Sequence, residues 1–163
     1  MIGVWMAAEM IMVGVVATAV MDVIAELRAR LTGVRGLDYA LLGRWVLHMR
    51  NGRWFHDTIG GAAKQTGERA LGWGLHYLIG VIWAVPVVLL VRSGANAGAA
   101  ALLVGVGSVL APWLIMQPAF GMGVAGRRLP HPWVARSRSL QTHLSFALGL
   151  WLAVLGQMAL FSA

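Results

Sequence analysis

Four apolar stretches, each as long as the roughly 20 residues that cross a bilayer as a helix, constrain this chain more than any other feature. They run from about Ile2 to Ala25, Leu71 to Val91, Ala97 to Phe120 and Leu140 to Phe161. None alternates with the period of two that a strand requires. Glycine and proline inside the second and third would weaken a soluble helix, but both are common in bilayer helices. The expected fold is all-α: a polytopic membrane protein with four transmembrane helices in one domain over residues 1–163. Composition agrees, with 59% hydrophobic and 12% charged residues. So apolar a chain is not disordered. The net charge of +7 is spread over too few charges for a soluble nucleic-acid binder, so no nucleic-acid partner is expected. The absence of cysteine removes disulfides and thiolate metal sites.

Twelve of the 13 basic residues fall in two inter-span segments, 28–70 and 127–139. The exception, Arg92, lies between spans two and three. The positive-inside rule makes those two segments cytoplasmic and puts both termini outside. Against the acids Glu26, Asp38, Asp57 and Glu68, that face carries a balance of +8. It suits anionic lipid headgroups, with Arg127, Arg128, Arg136 and Arg138 as headgroup contacts. Ala17-Thr18-Ala19 resembles a signal cleavage site, but no basic region precedes the apolar run, so a retained span is expected.

The first cytoplasmic segment is too long to be structureless. Gly36 and Asn51-Gly52 punctuate it as turns, and residues 37–49 between them form a helix too short to span. That helix is interfacial or re-entrant. Pro130 and Pro132 stiffen the second segment, whose Trp133 suits the headgroup zone. Spans two and three form a tight hairpin through 93–98. An internal repeat is suggested by His76, Gly80 and Trp83 in span two against His143, Ala147 and Trp151 in span four. It implies two pseudo-repeated hairpins.

Polar residues inside spans are costly and mark function or packing. Asp22, His76, Gln117 and His143 each come from a different span and lie at a similar depth on the basic side. Small residues surround them. Gly14, Thr18 and Asp22 form one stripe, and Gly72, His76 and Gly80 another, of the kind that lets helices approach. Pro112 and Pro118 bracket the Gln117 turn and bend span three. Three readings compete. The polar groups could simply hydrogen-bond and fix helix register. Asp22 and a histidine could relay protons or cations on a transport path, with Glu9 and Gln157 continuing it outward; Glu9 alone reads as snorkelling to the outer interface. Finally, Asp22, His76 and His143 could bind a metal, or His76 and His143 a haem. No cofactor is fixed by this pattern.

His48, His56 and Asp57 offer a weaker metal set, and His131 sits in the other basic turn. Solvated or headgroup-facing histidines fit these positions better, because no tight His-x-x-x-His spacing occurs. The stretch Gly60 to Thr66 lacks the glycine before Lys64 that a phosphate-binding loop needs. No nucleophile elbow or dinucleotide fingerprint is present, and nothing supports a soluble-type enzyme.

The ordered set Ala17-Thr18-Ala19-Val20-Met21-Asp22, Gly43-Arg44-Trp45, His48, His56, Gly67-Glu68-Arg69, Gly72-Trp73 and His76-Tyr77 resembles the small bacterial membrane proteins grouped as domain of unknown function 2938. Ala111-Pro112, Met116-Gln117-Pro118, Ser139-Leu140 and His143 extend the resemblance over nearly the whole chain. Members usually carry a Thr-Pro-x-Pro turn where this chain has Leu129-Pro130-His131-Pro132. The resemblance implies a bacterial inner-membrane protein and brings no activity with it. The residues themselves favour a transport or channel-like module, homo-oligomeric or part of a membrane complex. The alternatives are a metal- or haem-binding protein and a structural accessory subunit.

Overall fold

A computed structural model describes residues 2–161; Met1, Ser162 and Ala163, and with them both chain ends, lie outside the described residues. The fold is all-helical, with 77% helix and no strand among the described residues. Six α-helices follow in order: α1 (Ile2–Thr32), α2 (Ala40–Met49), α3 (Glu68–Arg92), α4 (Ala97–Gly107), α5 (Gln117–Ala119) and α6 (Pro132–Phe161). A π-helical turn, Pro112–Met116, leads into α5.

Among the described residues, four helical stretches are long and apolar enough to cross a membrane: Gly3–Thr32, Glu68–Arg92, Ala97–Ala119 and Pro132–Leu160. The four expected spans are therefore present, and two are longer than the apolar runs alone indicate. Helix α1 continues past Arg28 and Arg30, and α6 starts at Pro132 in the segment expected to be a proline-stiffened turn. The reason is local. Proline lacks an N–H that the first helical position does not use, and arginine is a good helix former once the chain has left the apolar layer. The short helix expected over 37–49 forms as Ala40–Met49. Asp38 Oδ1 accepts the Ala40 N–H at 3.0 Å at its start, and Gly52, with φ of 72°, turns the chain beyond its end.

The chain separates into two compact units. Unit 1 comprises residues 1–36, 77–108 and 141–163; unit 2 comprises 37–76 and 109–140. The core of unit 1 is largely aliphatic, built on Val13, Ala17, Val87, Val88, Ala101 and Leu150 with Phe146 among them. Its helices meet at small residues. A Cβ on Gly14 would overlap the Val81 backbone, one on Gly80 the Thr18 hydroxyl, one on Gly105 Ala147, and one on Gly149 the Ala17 backbone. Thr18 is fully buried and donates to the Gly14 carbonyl at 2.8 Å, which closes its polar group inside the contact. Apolar side chains such as Val23, Ile82, Leu103 and Leu152 remain exposed on the outer faces, as bilayer helices require.

Unit 2 packs α2 against the first turns of α3. The approach is reciprocal: a Cβ on Gly43 would overlap the Glu68 carbonyl, and one on Gly72 the Tyr39 carbonyl. Residues 53–62 then run back beside the end of the third span. The His56 N–H donates to Ala119 O at 2.9 Å and the Ile59 N–H to Phe120 O at 3.2 Å. Gly121 (φ of 87°) admits this strand-like run, since any side chain there would strike the Asp57 carbonyl.

Candidate functional site

The four polar residues expected at one depth divide between the units: Asp22 and His143 in unit 1, His76 and Gln117 in unit 2. Within unit 1, Asp22 is hydrogen-bonded to the Tyr77 side chain. His143 Nδ1 lies 2.7 Å from the Ser108 hydroxyl, which itself lies 2.6 Å from the Gly105 carbonyl. If Ser108 donates to that carbonyl, His143 Nδ1 carries the proton and donates to Ser108. Glu9 forms an ion pair with Arg92. The attraction of the arginine offsets part of the solvation that the carboxylate loses on burial. Gln157 is buried in the same unit.

In unit 2, His76 stacks on Tyr39 with ring centroids 3.8 Å apart, and Trp73 packs edge-on against the same tyrosine at 4.8 Å. Gln117 is 7% exposed, and its Oε1 has no hydrogen-bond partner. No three His, Asp or Glu side chains among the described residues are grouped so as to hold a metal ion. Asp57, next to His56 in the chain, is exposed.

The most developed polar arrangement lies around α2. Arg44 is 5% exposed and grips Glu68 through two contacts, Nε to Oε2 at 2.8 Å and Nη2 to Oε1 at 2.7 Å. Its Nη1 points to the carbonyls of Ile59, Gly60 and Ala62 at 3.2–3.3 Å. Glu68 Oε2 also accepts the Gln65 N–H at 2.8 Å. The hydrogen bond to Glu68 raises the pKa of Arg44 further, against the desolvation of burial. The guanidinium thus stays charged and organises the 59–62 turn.

One helical turn after Arg44, His48 is buried at 6% exposure and His56 at 5%. This corrects the expectation of solvated or headgroup-facing histidines. The 53–62 run folds back under α2 and brings His56 against His48. Trp45 Nε1 holds that run by donating to the Trp54 carbonyl at 2.8 Å. His48 Nδ1 lies 3.2 Å from His56 Nε2, and His48 Nε2 lies 2.9 Å from the Ala63 carbonyl. The Gln65 amide lies 3.2 Å from that same nitrogen. At the other end, His56 Nδ1 is buried without a partner. Desolvation lowers the pKa of His56, helped by repulsion from Arg53 and His48, which favours its neutral form.

The arginines expected at lipid headgroups fall into two kinds. Arg127, Arg128 and Arg138 are exposed. Arg136 is tied down: its Nε donates to Ala125 O at 3.0 Å, and its guanidinium lies 4.6 Å from the Trp133 ring centroid. The residues that sequence reasoning missed are Arg44 and Glu68 as a pair. The available signal was a lone arginine inside the apolar run Leu41–Val46, a placement that calls for a buried counter-charge.

Four helices long and apolar enough to cross a membrane suggest the class of multi-pass helical membrane proteins. The chain belongs to the family described as "Protein of unknown function (DUF2938)", which matches residues 11–156. No curated protein and no solved structure matches it.

Proposed function

We propose that this protein is a small membrane transport module that handles protons through the buried His48–His56 pair. The observation that carries the reading is the direct imidazole–imidazole contact of 3.2 Å whose far nitrogen, His56 Nδ1, is buried and unpartnered. A carbonyl only accepts, so in the tautomer that satisfies Ala63 the proton of His48 sits on Nε2, with the Gln65 amide turning its oxygen toward it. His48 Nδ1 then accepts from His56 Nε2–H, and His56 Nδ1 presents a bare lone pair. A proton arriving at that lone pair moves the Nε2 proton of His56 to His48 Nδ1. The Nε2 proton of His48 leaves beside exposed Ala63 and half-buried Gln65, one proton in and one out. Asp22 of unit 1 is a second proton-handling position, since intramembrane carboxylates commonly mark such paths. On this reading the basic segments face the cytoplasm of a bacterial inner membrane, and the functional unit is a homo-oligomer or part of a membrane complex. Two pseudo-repeated hairpins fit it as well, because Gly80 and Ala147, one turn after each span histidine, both sit at tight helix contacts.

Reconstitution in phosphatidylethanolamine/phosphatidylglycerol vesicles with an internal pH dye tests the reading. Under an imposed potential, proton flux is expected from the native protein, lost in His56→Phe and lowered in Asp22→Asn. Native flux no greater than that of protein-free vesicles overturns it. A second reading, a structural accessory subunit, is favoured by one set of contacts: Asp22, His143 and Glu9 each find a partner inside unit 1.

A further inference from the structure

The π-helical turn Pro112–Met116 ends in a feature that proton handling leaves unused. Pro112 and Pro118 lack N–H groups, and the Gln117 N–H bonds to the Pro112 carbonyl, which widens the turn between them. Trp113 and Gln117 lie one turn apart on this element and therefore share a face. Trp113 Nε1 is buried with no partner, and Gln117 Oε1, on a residue 7% exposed, is likewise buried with none. Each such orphan costs free energy unless a further group meets it. The indole N–H needs an acceptor and the amide oxygen needs a donor. A hydroxyl group supplies both; an ammonium group only donates, and a bare phosphate only accepts.

The loop beside Gln117 adds charge. Gly126 is its neighbour, with a Cβ built there lying 3.6 Å from Gln117 Oε1. Exposed Arg127 and Arg128 follow directly, their stems packed over Gly123. The Arg128 N–H donates to Met122 O and the Met122 N–H to Gln117 O, both at 2.9 Å, so the loop is bonded back to the Gln117 turn. Two free guanidinium groups suit a phosphate and repel an ammonium headgroup.

We infer that Trp113, Gln117, Arg127 and Arg128 form a binding site for a glycerophosphate group. The phosphate lies on the two arginines and a glycerol hydroxyl lies between the indole N–H and the amide. The site stands apart from the His48–His56 reading and does not depend on it.

Delipidated protein in a non-ionic detergent, titrated with phosphatidylglycerol or phosphatidic acid and read by native mass spectrometry, tests this. Phosphatidic acid keeps the phosphate and lacks the headgroup glycerol, so a purely electrostatic site takes it at least as well. The expected result is binding of phosphatidylglycerol about tenfold tighter, the scale of satisfying buried orphan groups. Trp113→Phe and Gln117→Leu should bring that ratio close to one with phosphatidic acid binding retained, which also shows that the variants are folded. Arg127→Gln with Arg128→Gln should weaken both lipids. Glycerol 3-phosphate separates the two sources of the group: displacement of the lipid identifies a soluble ester, and no displacement identifies the phospholipid. Equal binding of the two lipids by the native protein, or a preference that survives both Trp113→Phe and Gln117→Leu, overturns the site.

Discussion

In unit 1 the tight contacts are made where side chains are missing. Gly14, Gly80, Gly105 and Gly149 bring helices together, and Thr18 folds its hydroxyl onto its own helix. Unit 2 has close glycine contacts too, at Gly43, Gly72 and Gly121, and adds long, buried polar side chains that bridge its segments: Arg44 reaches Glu68 and three carbonyls, and His48 bridges His56 and Ala63. The difference follows from the surroundings. Helices among lipid tails gain nothing from apolar burial against one another, so close backbone approach and dispersion hold them. A short helix with irregular flanks leaves many backbone carbonyls without helical partners, and a single guanidinium can satisfy several at once. Both units should therefore be sensitive to added volume at their glycines, and unit 2 in addition to removed charge.

The largest expected effect is in unit 2. Glu68→Ala strands a buried guanidinium and should cost about 3–5 kcal/mol in denaturant unfolding of the purified protein. Arg44→Lys should rescue little, because an ammonium cannot reproduce the two-point contact. A loss below about 1 kcal/mol for Glu68→Ala, the level of an exposed pair, would erase the contrast. Next comes Gly14→Ala in unit 1. Its new Cβ meets the Val81 backbone, which cannot rotate away, and overpacking of this kind costs about 1–3 kcal/mol by the same unfolding assay. An unchanged midpoint would show that the α1–α3 contact is looser than described.

The smallest effect at neutral pH is on His56, whose pKa lies below 6.5 in the folded protein because of burial. The unfolded chain therefore binds the extra proton more readily. The stability due to neutral His56 is complete above pH 6.5 and is lost as the pH falls toward the folded-state value. Thermal midpoints taken from pH 7.5 downward should fall more steeply in the native protein than in His56→Gln. Parallel curves would remove His56 as the titrating group.

The membrane-spanning frame was legible because twenty apolar residues have few alternatives, and the Asn51-Gly52 turn because Gly52 needs its positive φ. Span ends were less so: nothing in Arg28 or Pro132 tells a reader whether a helix stops at the edge of the apolar layer or runs past it. The site was the hardest part. Patterns readable by eye repeat every three or four residues, whereas Arg44 and Glu68 stand 24 apart and His48 and His56 are joined across a turn. Asp22 and His143 were visible as costly residues in apolar spans, but their partners Tyr77 and Ser108 look ordinary in sequence.

The Arg44–Glu68 bond also sets a clock. During synthesis Arg44 emerges 24 residues before its counter-charge. At about 5–20 residues per second, the arginine waits roughly one to five seconds with no partner. For that interval water is its best solvent, so the α2 segment stays hydrated while α1 is already complete. The segment can close over its two histidines only once the start of α3 has been made, which gives the newborn chain an order of assembly written into one ion pair.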